Sequence, residues 1–153
     1  METNELYLKT LFCCSACDGE IASEEVSLVK KLSESDSAFD SLNIEKTLNS
    51  YVEQINVKRK LFLKDYLQEV ADTTLSNNEQ LKLIELAIKM IEADNQILYS
   101  EVKFFKKIRL NLSISDEAIL EKLPNAEDYL LPDLMVDSKE EDWSNITFTP
   151  ISL

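Results

Sequence analysis

Histidine is absent from the 153 residues, and glycine occurs once. Without histidine there is no Ser–His or Cys–His catalytic pair and no side chain whose ordinary pKa lies near neutrality. A zinc site would need Cys or carboxylate ligands alone. Average glycine usage of about 7% would give roughly ten, and the shortage removes the Gly-rich loops that let backbone approach phosphate. It also argues against a sheet protein, whose tight hairpins need residues at positive φ. Basic residues are few, 16 against 29 acids, giving a net charge of −13 that repels phosphate backbones and anionic lipid headgroups. Nucleic acid is therefore not an expected partner. No run approaches the roughly 18 apolar residues of a membrane span, so direct membrane insertion is not expected. The start, Met1-Glu2-Thr3-Asn4-Glu5, is acidic, unlike a basic-then-apolar secretory leader. These features point to a cytoplasmic protein.

What remains is a globular composition, 44% hydrophobic and 29% charged, in a chain the size of one ordinary domain. Helical periodicity runs through most of the first 123 residues. A first helix is expected over about Glu5 to Cys17, with Leu8, Leu11, Phe12 and Ser15 on one face. A second runs from about Ser23 to Ser33, with Ser23 as N-cap and Glu24 and Glu25 in the first turn, where the helix dipole favours acids. Ile44-Leu48-Val52-Ile55 and Leu63-Leu67-Val70 mark two more. Ser76-Asn77-Asn78-Glu79 reads as a capping box opening a strong helix with Leu81, Ile84, Ala87, Ile88 and Ile91. A sixth starts near Ser100, with Tyr99 and Phe104 as a hydrophobic staple, and a short one follows Ser115 and stops before Pro124. The expected fold is all-α, a compact bundle of about seven helices occupying residues 1–123.

Cys13, Cys14 and Cys17 are the only cysteines. Thiols that close on one helix make poor disulfides, and three without a fourth make an incomplete structural zinc site. They read as small buried hydrophobes in a reducing compartment, ahead of a redox or soft-metal role.

An internal repeat is the most informative feature. Ala16-Cys17-Asp18-Gly19-Glu20-Ile21-Ala22-Ser23-Glu24-Glu25 lines up with Glu92-Ala93-Asp94-Asn95-Gln96-Ile97-Leu98-Tyr99-Ser100-Glu101. Lys30-Lys31 then coincides with Lys106-Lys107, Leu32 with Ile108, Leu8 with Ile84 and Phe12 with Ile88. Two copies of helix, acidic turn, helix predict a pair of pseudo-repeated helix-turn-helix units, too few for a solenoid.

Asp18-Gly19-Glu20-Ile21, repeated as Asp94-Asn95-Gln96-Ile97, resembles the tellurite-resistance TerB-like family, in which an Ala-Asp-Gly-Glu-Ile turn recurs twice in an all-helical domain. The resemblance covers roughly residues 5 to 120. It implies a compact α-helical domain in bacterial stress response, without catalysis, whose acidic turns bind a divalent cation. The second copy departs from the pattern, because Asn95 and Gln96 stand where the family has Gly and Glu.

The chemistry of the residues is compatible with that implication. Hard cations such as Ca²⁺ and Mg²⁺ take oxygen ligands, and Asp18, Glu20, Glu24 and Glu25 place four acids within eight residues. Asp94 and Glu101 join them if the repeats face each other. The spacing is not that of an EF-hand loop. The candidate metal ligands are therefore Asp18, Glu20, Glu25, Asp94 and Glu101, with Ca²⁺ or Mg²⁺ as the cofactor and no catalytic residues. In the competing reading the acids only cap helices, Ile21 and Ile97 plug the core, and the chain is a protein-interaction or scaffold domain. A metal-assisted hydrolase ranks last, since no general base or nucleophile pair stands out.

From Pro124 the character changes. Residues 124–153 form an acidic, partly apolar C-terminal extension that contains Pro132, Pro150 and Trp143, with apolar groups at Tyr129-Leu130-Leu131, Leu134-Met135-Val136 and Ile146-Thr147-Phe148. Its acids alone would leave it solvated. Its apolar groups predict that it docks, on the helical domain itself or on a protein partner.

Overall fold

The computed structural model describes residues 3–40, 42–93, 99–130 and 146–153. These form eight α-helices: α1 Thr3–Ala16, α2 Ser23–Ser35, α3 Ile44–Lys58, α4 Lys60–Asp72, α5 Asn77–Ile91, α6 Tyr99–Leu110, α7 Asp116–Lys122 and α8 Glu127–Leu130. Two short 3₁₀ turns, Ser37–Phe39 and Pro124–Ala126, precede α3 and α8. The described residues contain no strand and no helix long and apolar enough to cross a membrane.

Every residue of α1 from Leu6 to Ala16 is buried, because α3, α4, α5 and α6 pack around it. A helix covered on all sides must be apolar all round or satisfy each polar group it carries. Leu6, Leu8, Leu11, Phe12, Cys13 and Cys14 do the first. Thr10 and Ser15 do the second by returning to their own helix: the Thr10 hydroxyl donates to Leu6 O at 2.8 Å, and that of Ser15 reaches Leu11 O and Phe12 O at 3.0 and 2.9 Å. Thr10 Oγ1 also lies 2.6 Å from the hydroxyl of fully buried Tyr66 on α4. Lys9 is only 5% exposed and donates to both carboxylate oxygens of Glu69 on α4, at 2.9 and 2.8 Å. Its ammonium stands 4.8 Å from the Phe62 ring centroid and 5.6 Å from that of Tyr51, rings that also pack on Phe12. Cation–π attraction and the ion pair together offset the cost of removing the charge from water.

The second hairpin is fixed by local chemistry that the sequence announces. Ser76 Oγ accepts the Glu79 N–H at 3.2 Å while Glu79 Oε1 accepts the Ser76 N–H at 2.9 Å, the reciprocal capping box. Gln80, one residue on, is buried and spends its whole amide: it donates to Leu75 O and Ser113 Oγ and accepts from the Ser113 and Ile114 N–H groups. That one side chain ties the start of α5 to the loop before α7.

Two expectations need correction. Ser23 is not the N-cap of α2. Ala22 holds that position, and Ser23 is already helical. Tyr99 is the first residue of α6 and is 42% exposed, so it does not occupy the pre-cap position of a staple. As expected, α5 carries an apolar face: Leu83, Ile84, Leu86, Ala87, Met90 and Ile91 are buried, with Leu81 and Ile88 partly buried against the core. The seven expected helices are all present among the described residues, and a one-turn α8 follows past Pro124. Ala126 and Tyr129 there, and Phe148 and Ile151 near the end, belong to the same apolar core as α1, so part of the C-terminal extension docks on the domain itself. The apolar groups Leu134-Met135-Val136 and Trp143 lie outside the described residues.

The Lys9–Glu69 pair yields a stability prediction. Removing one partner of a fully buried ion pair costs about 3–5 kcal/mol. Because the Glu69 side chain is 32% exposed, Glu69→Ala is expected to lower the unfolding free energy in urea by the lesser amount of about 2–3 kcal/mol. The double variant Lys9→Met, Glu69→Leu should recover most of that loss, and a cycle with no coupling between the two positions would contradict the assignment.

Candidate functional site

The two hairpins match in register along the chain. α1-turn-α2 corresponds to α5-turn-α6, with the helix start at Ser23 matched by the start at Tyr99. The first turn closes with Gly19 at φ 92°, the left-handed conformation that a residue without Cβ adopts at no steric cost. Gly19 N–H donates to Ala16 O at 2.9 Å. Asp18 Oδ1 then accepts the Glu20 N–H at 3.1 Å, an Asx turn that fixes the acidic tip. Asp94 and the rest of the second tip, Asn95 to Leu98, lie outside the described residues.

The predicted acids occupy different environments. Glu20 is exposed and Asp18 half-buried, whereas Glu25 and Glu101 are only 5% and 4% exposed. Each of the buried pair is the third residue of its helix, so the repeat brings equivalent carboxylates to equivalent depths. Glu25 Oε1 accepts the Ala22 N–H at 2.8 Å, half of a capping box made where Ala22 has no side-chain oxygen for the other half.

Both buried carboxylates face the same group of α1. Burial is the first cause pushing the Cys14 thiol well above its ordinary range, and the negative charges of Glu101 and then Glu25 push it further. Cys17 is raised in the same way, by burial first, and among its further causes are Asp18 and Glu101. Glu25 and Glu101 thus both bear electrostatically on Cys14, and Asp18 and Glu101 on Cys17, while Glu20 stays at the solvent edge. Glu101 also adds to the rise of Tyr129, which is due first to burial and then to its own hydrogen bond to Glu92 Oε1 at 3.1 Å. Among the described residues, no three His, Cys, Asp or Glu side chains form a group that could hold a metal ion.

Chemically, the surroundings keep the thiols neutral. A protonated thiol is a poor nucleophile and a poor metal ligand. Cys13 and Cys14 are buried and all three cysteines are unpaired with one another, as small apolar residues of the inner helix. Cys17 Sγ points back at Cys14 O, at 3.2 Å.

Sequence reasoning missed several polar residues at the core: Lys9 and Glu69, Gln80, and Asn49, Asn56 and Arg59 on and after α3. The signal for the last group is spacing, since asparagines seven apart share one helix face. No family profile matches the chain, and comparison with characterised proteins and with solved structures gives no significant match.

The buried thiols and phenols make alkaline stability a test. Burial holds the thiols of Cys13, Cys14 and Cys17 and the phenols of Tyr51, Tyr66 and Tyr129 above their ordinary range. Tyr7 is pushed up to about 12, by burial and then by Glu79 and Asp36. In the unfolded chain these groups ionise near their ordinary values of 9.0 and 10.0. Their protonation therefore leaves stability unchanged below about pH 8.5 and removes it as pH rises, by about 1.4 kcal/mol per pH unit for each group ionised only when unfolded. Urea melts between pH 8 and 11 should show a steepening loss, and a flat profile to pH 11 would contradict the burial.

Proposed function

We propose that this chain is a TerB-like, non-enzymatic stress-response domain of the cytoplasm that binds a divalent cation, Ca²⁺ or Mg²⁺, at its paired acidic turns and acts through protein partners. The observation that supports the reading is that Glu25 and Glu101, buried at matching third positions of α2 and α6, both bear electrostatically on Cys14. Carboxylates crowded at low dielectric repel one another, and a cation beside them offsets the repulsion. Asp18 and Glu20 would supply oxygen ligands at the first tip, where water has access, and Asp94 is the acid that the repeat matches to Asp18. Hard cations take such mixed shells of carboxylate, carbonyl and water readily.

A second reading, a protein-interaction domain without metal, has its own support. Asp18 and Glu25 each accept a backbone N–H of their own turn, which is a complete structural use for a carboxylate. Thermal melts separate the two. At tenfold excess over its dissociation constant, a cation that binds only the folded chain adds about 1.4 kcal/mol, roughly 3–6 °C in Tm at this length. The metal reading expects that rise with Ca²⁺ or Mg²⁺ over matched NaCl, and its loss in Asp18→Asn and in Glu101→Gln. Equal response to monovalent and divalent salt favours the interaction domain.

A further inference from the structure

Residues 146–153 lie along α3 in a defined register. Asn56 Nδ2 donates to Phe148 O at 2.9 Å, and its Oδ1 accepts the Phe148 N–H at 2.8 Å. Asn49 forms a second rung of the same kind on Ile151, donating to its carbonyl at 3.0 Å and accepting its N–H at 2.8 Å. Phe148 and Ile151 are buried, and Ile151 fills a gap beside α2. Arg59 donates to the carbonyl of Ile146. The segment therefore runs antiparallel to α3, and Ile146 sits at the corner where α3 meets α4. That corner turns at Arg59, whose φ of 57° is unusual for a residue with a Cβ.

The corner has an unusual surface. Val57-Lys58-Arg59-Lys60-Leu61 contains the one run of three consecutive bases in a sequence of net charge −13. Val57 is 83% exposed and Leu61 54%, so two large apolar side chains flank the bases in water. Lys58 is exposed, and its pair with Asp65 at 3.2 Å lies in solvent, where such pairs contribute little. Exposed apolar groups beside like charges mark a surface that takes an oppositely charged, partly apolar occupant.

The stretch of chain that leads to Ile146 has that composition. Residues 131–145 lie outside the described residues, but both neighbours are placed. At one end α8 packs on α6, with the Tyr129 and Phe105 rings 5.5 Å apart, and at the other Ile146 meets Arg59. Glu140-Glu141-Asp142 is the one run of three consecutive acids in the sequence, and Trp143 its one tryptophan. Trp143 is three residues from Ile146 and so within about 10–11 Å of the carbonyl that Arg59 holds, and Asp142 and Glu141 are within about 13–18 Å.

We propose that the α3–α4 corner is the docking surface for residues 140–145 of the same chain, with Glu140, Glu141 and Asp142 against the basic run and Trp143 over Val57 and Leu61. The charges complement each other run for run. Tethering at Ile146 gives the segment a high effective concentration at the corner, so individually weak exposed contacts suffice and a free acidic peptide competes poorly. The docked segment would cover the two exposed apolar groups and offset the local excess of positive charge.

Tryptophan fluorescence of the full chain reports this segment alone. In wild type the emission should be blue-shifted from that of the urea-unfolded chain, by an amount independent of protein concentration. Val57→Ser with Leu61→Ser should move it to the unfolded position and raise acrylamide quenching, with far-UV circular dichroism unchanged because both side chains already face water. Lys58→Glu with Lys60→Glu should do the same, and adding Glu140→Lys with Glu141→Lys to that variant should restore the blue shift. Wild-type emission already at the unfolded position, or emission that the corner variants leave unmoved, overturns the proposal. So does a charge swap that fails to restore it, or a blue shift lost on dilution, which would assign the contact to a second copy. If the corner variants lose helicity, Glu140→Lys with Glu141→Lys in an intact corner decides: a red shift supports the docking, and no shift overturns it.

Discussion

The structure depends on burying α1 on every side. Most helices in a small domain bury one stripe and leave the rest to water. Here each residue from Leu6 to Ala16 is enclosed, and four helices are positioned by what α1 presents to them. The Lys9 ammonium sets where Glu69 and the rings of Tyr51 and Phe62 must stand, and therefore how α3 and α4 approach. Thr10 does the same for Tyr66. A charge inside an apolar core is a weak source of net stability, because desolvation offsets most of its attraction. It is a strong source of uniqueness at this site, since any packing that separates Lys9 from Glu69 leaves a buried ion unpaired.

The repeat also puts matching carboxylates where their charge reaches α1. Each hairpin places a buried glutamate at the third position of its second helix, and the charges of both bear on Cys14. The thiols there are held protonated by burial and by those charges. Negative charge near a thiol suppresses its ionisation, so the cluster that would favour a cation disfavours cysteine chemistry at the same spot. The two halves are not equivalent in the fold. α6 inserts Phe104, Phe105 and Ile108 into the core, while α2 contributes Val29 and Leu32 at its edge. The gap left beside α2 is the one that Ile151 enters.

The C-terminal residues complete a core that the helices alone leave open. Phe148 and Ile151 supply apolar bulk, and the asparagine rungs satisfy the backbone groups that burial would otherwise strand. Side-chain amides suit this role because each offers a donor and an acceptor in one plane, matching the N–H and C=O of one residue. Pro150 falls between the rungs, where no N–H is called upon.

Periodicity, a single glycine and the repeat were enough to settle that the chain is all-helical and where seven of its helices lie, because those properties are local: they follow from i, i+3, i+4 spacing and from caps such as Ser76–Glu79. The repeat likewise made Asp18, Glu25 and Glu101 legible as a related set. Only the tertiary structure decided that Glu25 and Glu101 are buried while Glu20 is exposed, because depth depends on which helices cover a turn. The same holds for Ser23, displaced from its cap by the reach of Glu25 to the Ala22 N–H. Lys9, Gln80, Asn49 and Asn56 look like ordinary surface residues in sequence. Lys9 and Gln80 are buried and Asn49 and Asn56 half-buried because the partner of each, Glu69, Ser113, Ile151 or Phe148, arrives from far along the chain, and no local pattern encodes a contact of that range.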